Sequence, residues 1–61
     1  MPSHVVYPAF RVGDEVEAKW DGAWYPGSID EVLSEEGSYE VLWDTGEVNP
    51  IPARDVRARA A

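Results

Sequence analysis

The chain has 61 residues, so it forms one domain at most, and five Lys+Arg against twelve Asp+Glu give it a formal net charge of -7, with one histidine and no cysteine. A chain of this size buries only about 60% of its unfolded surface, which excludes a deep pocket inside a multilayer α/β core and with it most enzyme folds. Without cysteine there is no disulfide and no thiolate zinc site, so three tryptophans, three tyrosines and one phenylalanine must supply the core.

No run approaches the ~20 apolar residues of a bilayer span, and the first residues show no basic region before an apolar block. These features predict a soluble intracellular domain with no membrane role. The acidic balance also disfavours phosphate backbones, whose nonspecific binding rests on Lys and Arg.

In chain order, residues 1–8, with prolines at 2 and 8, read as a flexible lead, 9–57 as the folded domain and 58–61 as a small-residue tail. No segment keeps a 3.6-residue period for the length of an ordinary helix, so the chain reads as all-β. After the Gly13-Asp14 turn, Val16, Ala18 and Trp20 alternate with Glu15, Glu17 and Lys19, the period of a half-buried strand. Asp21-Gly22 then predicts a tight hairpin turn, because both residues tolerate positive φ. In the second strand Tyr25, Gly27 and Ile29 share one parity. Pro26 belongs at an edge or bulge, and Gly27 marks a sharp bend that carries the strand around a barrel corner.

Ser34-Glu35-Glu36-Gly37-Ser38 is the next turn, and beyond it Tyr39, Val41 and Trp43 alternate with Glu40 and Leu42 in a third strand. Asp44-Thr45-Gly46 closes a second hairpin into Glu47-Val48. Pro50 and Pro52 then keep the next strand short, and residues 52–55 predict one 3₁₀ turn before Val56 returns to the sheet. Five short strands fit a small, strongly bent barrel. Its expected core is Phe10, Val16, Ile29, Val32, Val41, Leu42 and Val56, with Trp24 facing outward by parity.

Three segments together resemble the Tudor and Agenet domains of the Tudor "royal" superfamily: Arg11 to Trp20, Trp24-Tyr25-Pro26-Gly27-Ser28-Ile29, and Tyr39 to Glu47. The resemblance runs from Phe10 to about Arg57. It rests on a Val-Gly-Asp start, an Ala-x-Trp strand end, a Trp-Tyr-Pro-Gly-x-Ile second strand and an aromatic-Asp-x-Gly hairpin. The resemblance implies a five-stranded SH3-like barrel whose aromatic cage binds methylated lysine or methylated arginine, often on histone tails, and therefore a nuclear location and a place within a larger protein or complex. Under it, Trp20, Tyr25 and Trp43 match the cage aromatics. Thr45 stands where many Tudor domains carry an Asp or another aromatic, and Glu47 near where some place the last aromatic.

The residues themselves suit that chemistry. Methylation removes the donors of an ammonium, so a desolvated positive charge against aromatic faces is what remains to be recognised, at roughly 0.5–1 kcal/mol per exposed ring and ~2 when desolvated. Asp21, Asp44, Thr45 and Glu47 are the candidate rim. Between Gly13 and Val48 there are eleven acidic residues against Lys19 as the sole base, which favours a basic peptide partner. On this reading Trp43→Ala should abolish binding while the domain stays folded.

Other roles remain open to the same residues. Large rings are also the usual filling of a small core, and the acidic excess also serves solubility. An SH3-type module for unmodified peptides, or one for self-assembly, would use the same aromatics. A plasmid-borne dihydrofolate reductase is also a short SH3-like barrel, but its Val-Gln-Ile-Tyr pore motif is matched here only by Glu47-Val48-Asn49-Pro50-Ile51. His4 has no ligand partner at metal spacing, and Ser28, Ser34 and Ser38 have no neighbouring base, so neither metal, cofactor nor catalysis is expected.

Overall fold

The computed structural model describes residues 9–59. The expected flexible lead at 1–8, including His4, lies outside the described residues, as do the last two residues of the expected tail. Five strands form one antiparallel sheet: β1 Glu15–Trp20, β2 Ala23–Leu33, β3 Ser38–Trp43, β4 Val48–Pro52 and β5 Val56–Ala58. Single 3₁₀ turns, Ser34–Glu36 and Ala53–Asp55, join β2 to β3 and β4 to β5. The strand order β4-β3-β2-β1-β5 is a meander whose last strand returns beside the first, the order of an SH3-like barrel. No helix among the described residues is long and apolar enough to cross a membrane.

The bend is built into β2. This 11-residue strand pairs with β1 through its first half and with β3 through its second, and the two ladders overlap at Gly27 and Ser28. Gly27 faces Val16 on one side and Trp43 on the other. A Cβ on Gly27 would stand 2.8 Å from both the Leu42 carbonyl oxygen and Val41 Cγ1, so only glycine lets β2 press this close to β3. Pro26 opposes Glu17. Counted from the two-residue hairpin, that pair exchanges no hydrogen bond, and the β3 ladder has not yet begun, so the missing N–H is not needed.

The turns follow their residues. Asp21 (φ 51°) and Gly22 (φ 82°) make the two-residue loop with positive φ at both positions that suits the twist of a hairpin. In the second hairpin the Gly46 amide donates to the Trp43 carbonyl (2.8 Å) and the Trp43 amide to the Glu47 carbonyl (2.8 Å), with Gly46 left-handed at φ 96°. This is the three-residue loop closed by a glycine bulge.

A second bulge lies between Ile29 and Glu31, where the pairing shifts by one and Asp30 is the extra residue. It restores the inward parity, so that Val32 as well as Ile29 faces the core. The core comprises Val16, Ala18, Ile29, Tyr39, Val41, Trp43, Ile51 and Val56, with Phe10 and Val32 packed against it. Fully burying a side chain such as Ile29, Val16 or Val41 contributes about 1.5–3 kcal/mol each. The Tyr39 hydroxyl accepts the Ala9 (2.8 Å) and Phe10 (3.3 Å) amides, and the Phe10 ring meets Tyr39 edge-on, which fixes the start of the domain.

Two expectations change. Leu42 is not part of the core, because its parity opposes that of Val41 and Trp43 and places it half-buried on the outer face between Ser28 and Val48. The ordered unit also runs beyond residue 57, since Ala58 completes β5 and the Arg59 guanidinium donates to the carbonyls of Gly27 (2.6 Å) and Val16 (3.3 Å). Trp24 faces outward as its parity requires, with the Arg57 guanidinium 4.0 Å over its ring and bonded in turn to Glu17 (2.9 Å).

β4 is short, and Pro50 and Pro52 lie inside it, which the sheet tolerates because β4 is an edge strand. Counting from the Trp43–Glu47 bond, residues 48, 50 and 52 turn their backbone groups away from β3, so both prolines place their donorless nitrogens on the free edge.

At the bulge Asp30, Glu31 and Glu40 crowd together, Glu31 directly opposite Glu40. Partial burial, a hydrogen bond with Asp30, and the charges of Glu31 and Asp30 push the Glu40 carboxyl above its ordinary value. The folded chain therefore keeps this proton to higher pH than the unfolded chain does, and stability falls as pH rises through the window between the two values. Glu40→Gln should raise the melting temperature at pH 7, and the gain should vanish below that window, in thermal unfolding followed across pH. Gly27→Ala should destabilise by about 1–3 kcal/mol in urea unfolding, the range for forcing an extra methyl into a packed site.

Candidate functional site

The inward-facing row of the sheet continues past the packed core at one end. There it holds Trp20 at the end of β1, Tyr25 at the start of β2, Trp43 at the end of β3 and Asn49 on β4. Together they wall a cavity of about 320 Å³ completed by Pro26 and by Asp44, Thr45 and Glu47 of the β3–β4 turn.

Trp43 forms the floor. It is 9% exposed and belongs to the core, whereas Trp20 (50%) and Tyr25 (46%) stand out as exposed aromatics. Trp20 and Tyr25 pack against Trp43 edge-on, with ring centroids 6.3 and 6.4 Å away and interplanar angles of 69° and 89°. The Trp43 indole N–H donates to Asn49 Oδ1 at 2.8 Å, which satisfies the polar edge of a buried ring and fixes its rotation.

Of the residues that the sequence analysis singled out, the structure brings Trp20, Tyr25, Trp43, Asp44, Thr45 and Glu47 to one cavity. Asp21 does not line it; it occupies the positive-φ position of the β1–β2 turn. Pro26 and Asn49 were missed. Asn49 shares the parity of Ile51 and so faces inward, a signal hidden by the prolines on either side of Ile51. Trp43 has both of the roles left open for it, core and cavity wall.

Arg59 reaches the rim from the other side. Its guanidinium, anchored on the Gly27 and Val16 carbonyls, lies 3.8 Å from Asp44 Oδ1 and 3.7 Å from Glu15 Oε1. With Arg57 held between Glu17 and Trp24, two of the three C-terminal arginines are engaged within the domain and do not form a free basic face. Among the described residues no group of three His, Cys, Asp or Glu side chains is placed to hold a metal ion.

The geometry defines a small all-β module with an aromatic-walled, acid-rimmed cavity at one end of its sheet. The sequence matches no family model and no curated protein.

The two tryptophans should separate in unfolding experiments. The sequence-based expectation that Trp43→Ala stays folded is revised by its burial in the core: the variant should lose about 3–5 kcal/mol, the range for a buried aromatic and close to the whole stability of a domain this small, and should unfold rather than merely lose a ligand. Trp20→Ala should change stability by less than about 1 kcal/mol in the same urea titration.

Proposed function

We propose that the chain is a binding module that takes the methylated ammonium or guanidinium end of a lysine or arginine side chain, on a basic peptide, into the cavity walled by Trp20, Tyr25 and Trp43. The observation that carries this reading is the convergence of three aromatic side chains on one cavity with Asp44 and Glu47 at its edge. Aromatic faces attract a cation whose hydrogen-bonding groups have been replaced by methyls, and the carboxylates add Coulomb attraction at the mouth. The net charge of -7 would steer a lysine- and arginine-rich segment toward the domain, an effect that weakens with salt.

The likeness to Tudor and Agenet domains supports the same reading and extends it to histone-like tails and a nuclear setting. A shallow site of this kind binds in the micromolar to millimolar range, about 4–8 kcal/mol, so useful avidity comes from linked modules in a larger protein or complex.

The test is an NMR titration of the ¹⁵N-labelled domain with matched basic peptides, unmodified or methylated at lysine or arginine. The Trp20 and Trp43 indole and backbone signals should shift and saturate only with a methylated peptide, and Trp20→Ala should abolish the response while leaving the rest of the spectrum folded. Equal shifts with unmodified peptides would replace the reading with SH3-type docking on the same aromatics. No shift with any peptide would remove it.

A further inference from the structure

Taking the cation-binding reading as its basis, the rim shows how the two carboxylates divide their work. Asp44 and Glu47 both line the cavity, but their surroundings differ. Asp44 Oδ1 lies 3.8 Å from the Arg59 guanidinium, whose position is fixed by the 2.6 Å bond to the Gly27 carbonyl and the 3.3 Å bond to the Val16 carbonyl. A cation approaching Asp44 therefore also nears the Arg59 guanidinium, which is hydrogen-bonded to two backbone carbonyls, and the two positive charges repel. Glu47 lies on the far side of the same turn, is exposed, and makes no ion pair among the described residues.

The turn itself holds Glu47 in place. The Glu47 carbonyl accepts the Trp43 amide at 2.8 Å, so the backbone that carries the carboxylate is tied directly to the residue that floors the cavity. The other polar lining groups are poor substitutes. Thr45 offers a neutral hydroxyl, and Asn49 Oδ1 already accepts the Trp43 indole N–H.

We infer that Glu47 is the specificity-determining residue of the cavity: its carboxylate receives the remaining N–H of a mono- or dimethyllysine ammonium, while Arg59 withholds Asp44 from that role. A trimethylammonium has no N–H to give and gains only the aromatic and Coulomb terms. The domain then prefers the lower methylation states. A charge-assisted hydrogen bond to an exposed carboxylate makes that preference roughly threefold to tenfold.

The experiment compares mono-, di- and trimethyllysine versions of one basic peptide by calorimetry or NMR titration on the wild-type domain and on Glu47→Ala, Glu47→Gln and Asp44→Asn. Glu47→Ala should lower affinity for the mono- and dimethyl peptides by roughly fivefold or more and erase their advantage over trimethyl. Glu47→Gln keeps an acceptor oxygen without the charge, so it should weaken all three peptides and retain part of the preference. Asp44→Asn should cost less than about threefold, uniformly across the three peptides. In an Arg59→Gln background the loss on Asp44→Asn should grow, because Asp44 is then free to act. Should Arg59→Gln not fold, the exposed Glu47 and Asp44 variants decide the matter alone.

A preference unchanged in Glu47→Ala, or one lost in Asp44→Asn instead, overturns the assignment while leaving methyllysine binding intact. Binding confined to methylated arginine overturns it as well. If no methylated peptide binds the wild-type domain, the cation-binding reading falls and the assignment falls with it.

Discussion

The fold depends on a missing side chain. At Gly27 the backbone of β2 comes close enough to β3 that a single methyl would stand 2.8 Å from a carbonyl oxygen and from a valine methyl. That approach lets one strand belong to two ladders at once, with Val16 across from Gly27 on one side and Trp43 on the other. The sheet can then close over its own inner face and form a core from eight side chains. The Gly27 carbonyl also receives Arg59, so the end of the domain is tied to the same point.

Much of this arrangement is written in local patterns. Period-2 alternation places Val16, Ala18, Tyr39, Val41 and Trp43 on one face, and Asp21-Gly22 and Asp44-Thr45-Gly46 mark both hairpins, because φ preference and side-chain parity act over a few residues. Features that depend on partners distant in sequence are harder to read. Leu42 shows the limit of hydrophobicity alone: it is as apolar as its neighbours, yet the alternation that turns Val41 and Trp43 inward turns it outward. Asn49 and Ile51 sit among prolines that suggest a break, and only their position on the sheet edge explains why a strand survives there. The parity error that the Asp30 bulge corrects is also invisible from composition, although Val32 ends up inside because of it.

The site was legible to a different degree. Strand ends carry the aromatics, and the alternation points Trp20, Tyr25 and Trp43 the same way, so their convergence follows from the pattern once the sheet is bent. The division between buried and exposed rings does not. Trp43 is core because Gly27 lies across from it and Asn49 holds its edge, whereas Trp20 lies one step beyond the last covered position. The electrostatics of the rim were equally hidden, since nothing local to Asp44 predicts that an arginine fifteen residues later in the chain would stand beside it.

The prolines of β4 bear on how the domain can meet other chains. With donorless nitrogens at positions 50 and 52, the outer side of that strand offers Val48 as its one remaining amide in this stretch, and the opposite edge of the sheet, β5, is only three residues long. An extended segment cannot zip onto either border as a sixth strand and gain a full ladder of main-chain bonds. A chain that docked here would be held by what its side chains insert rather than by a main-chain ladder, and neighbouring copies of the domain could crowd together without knitting into a continuous sheet across these edges.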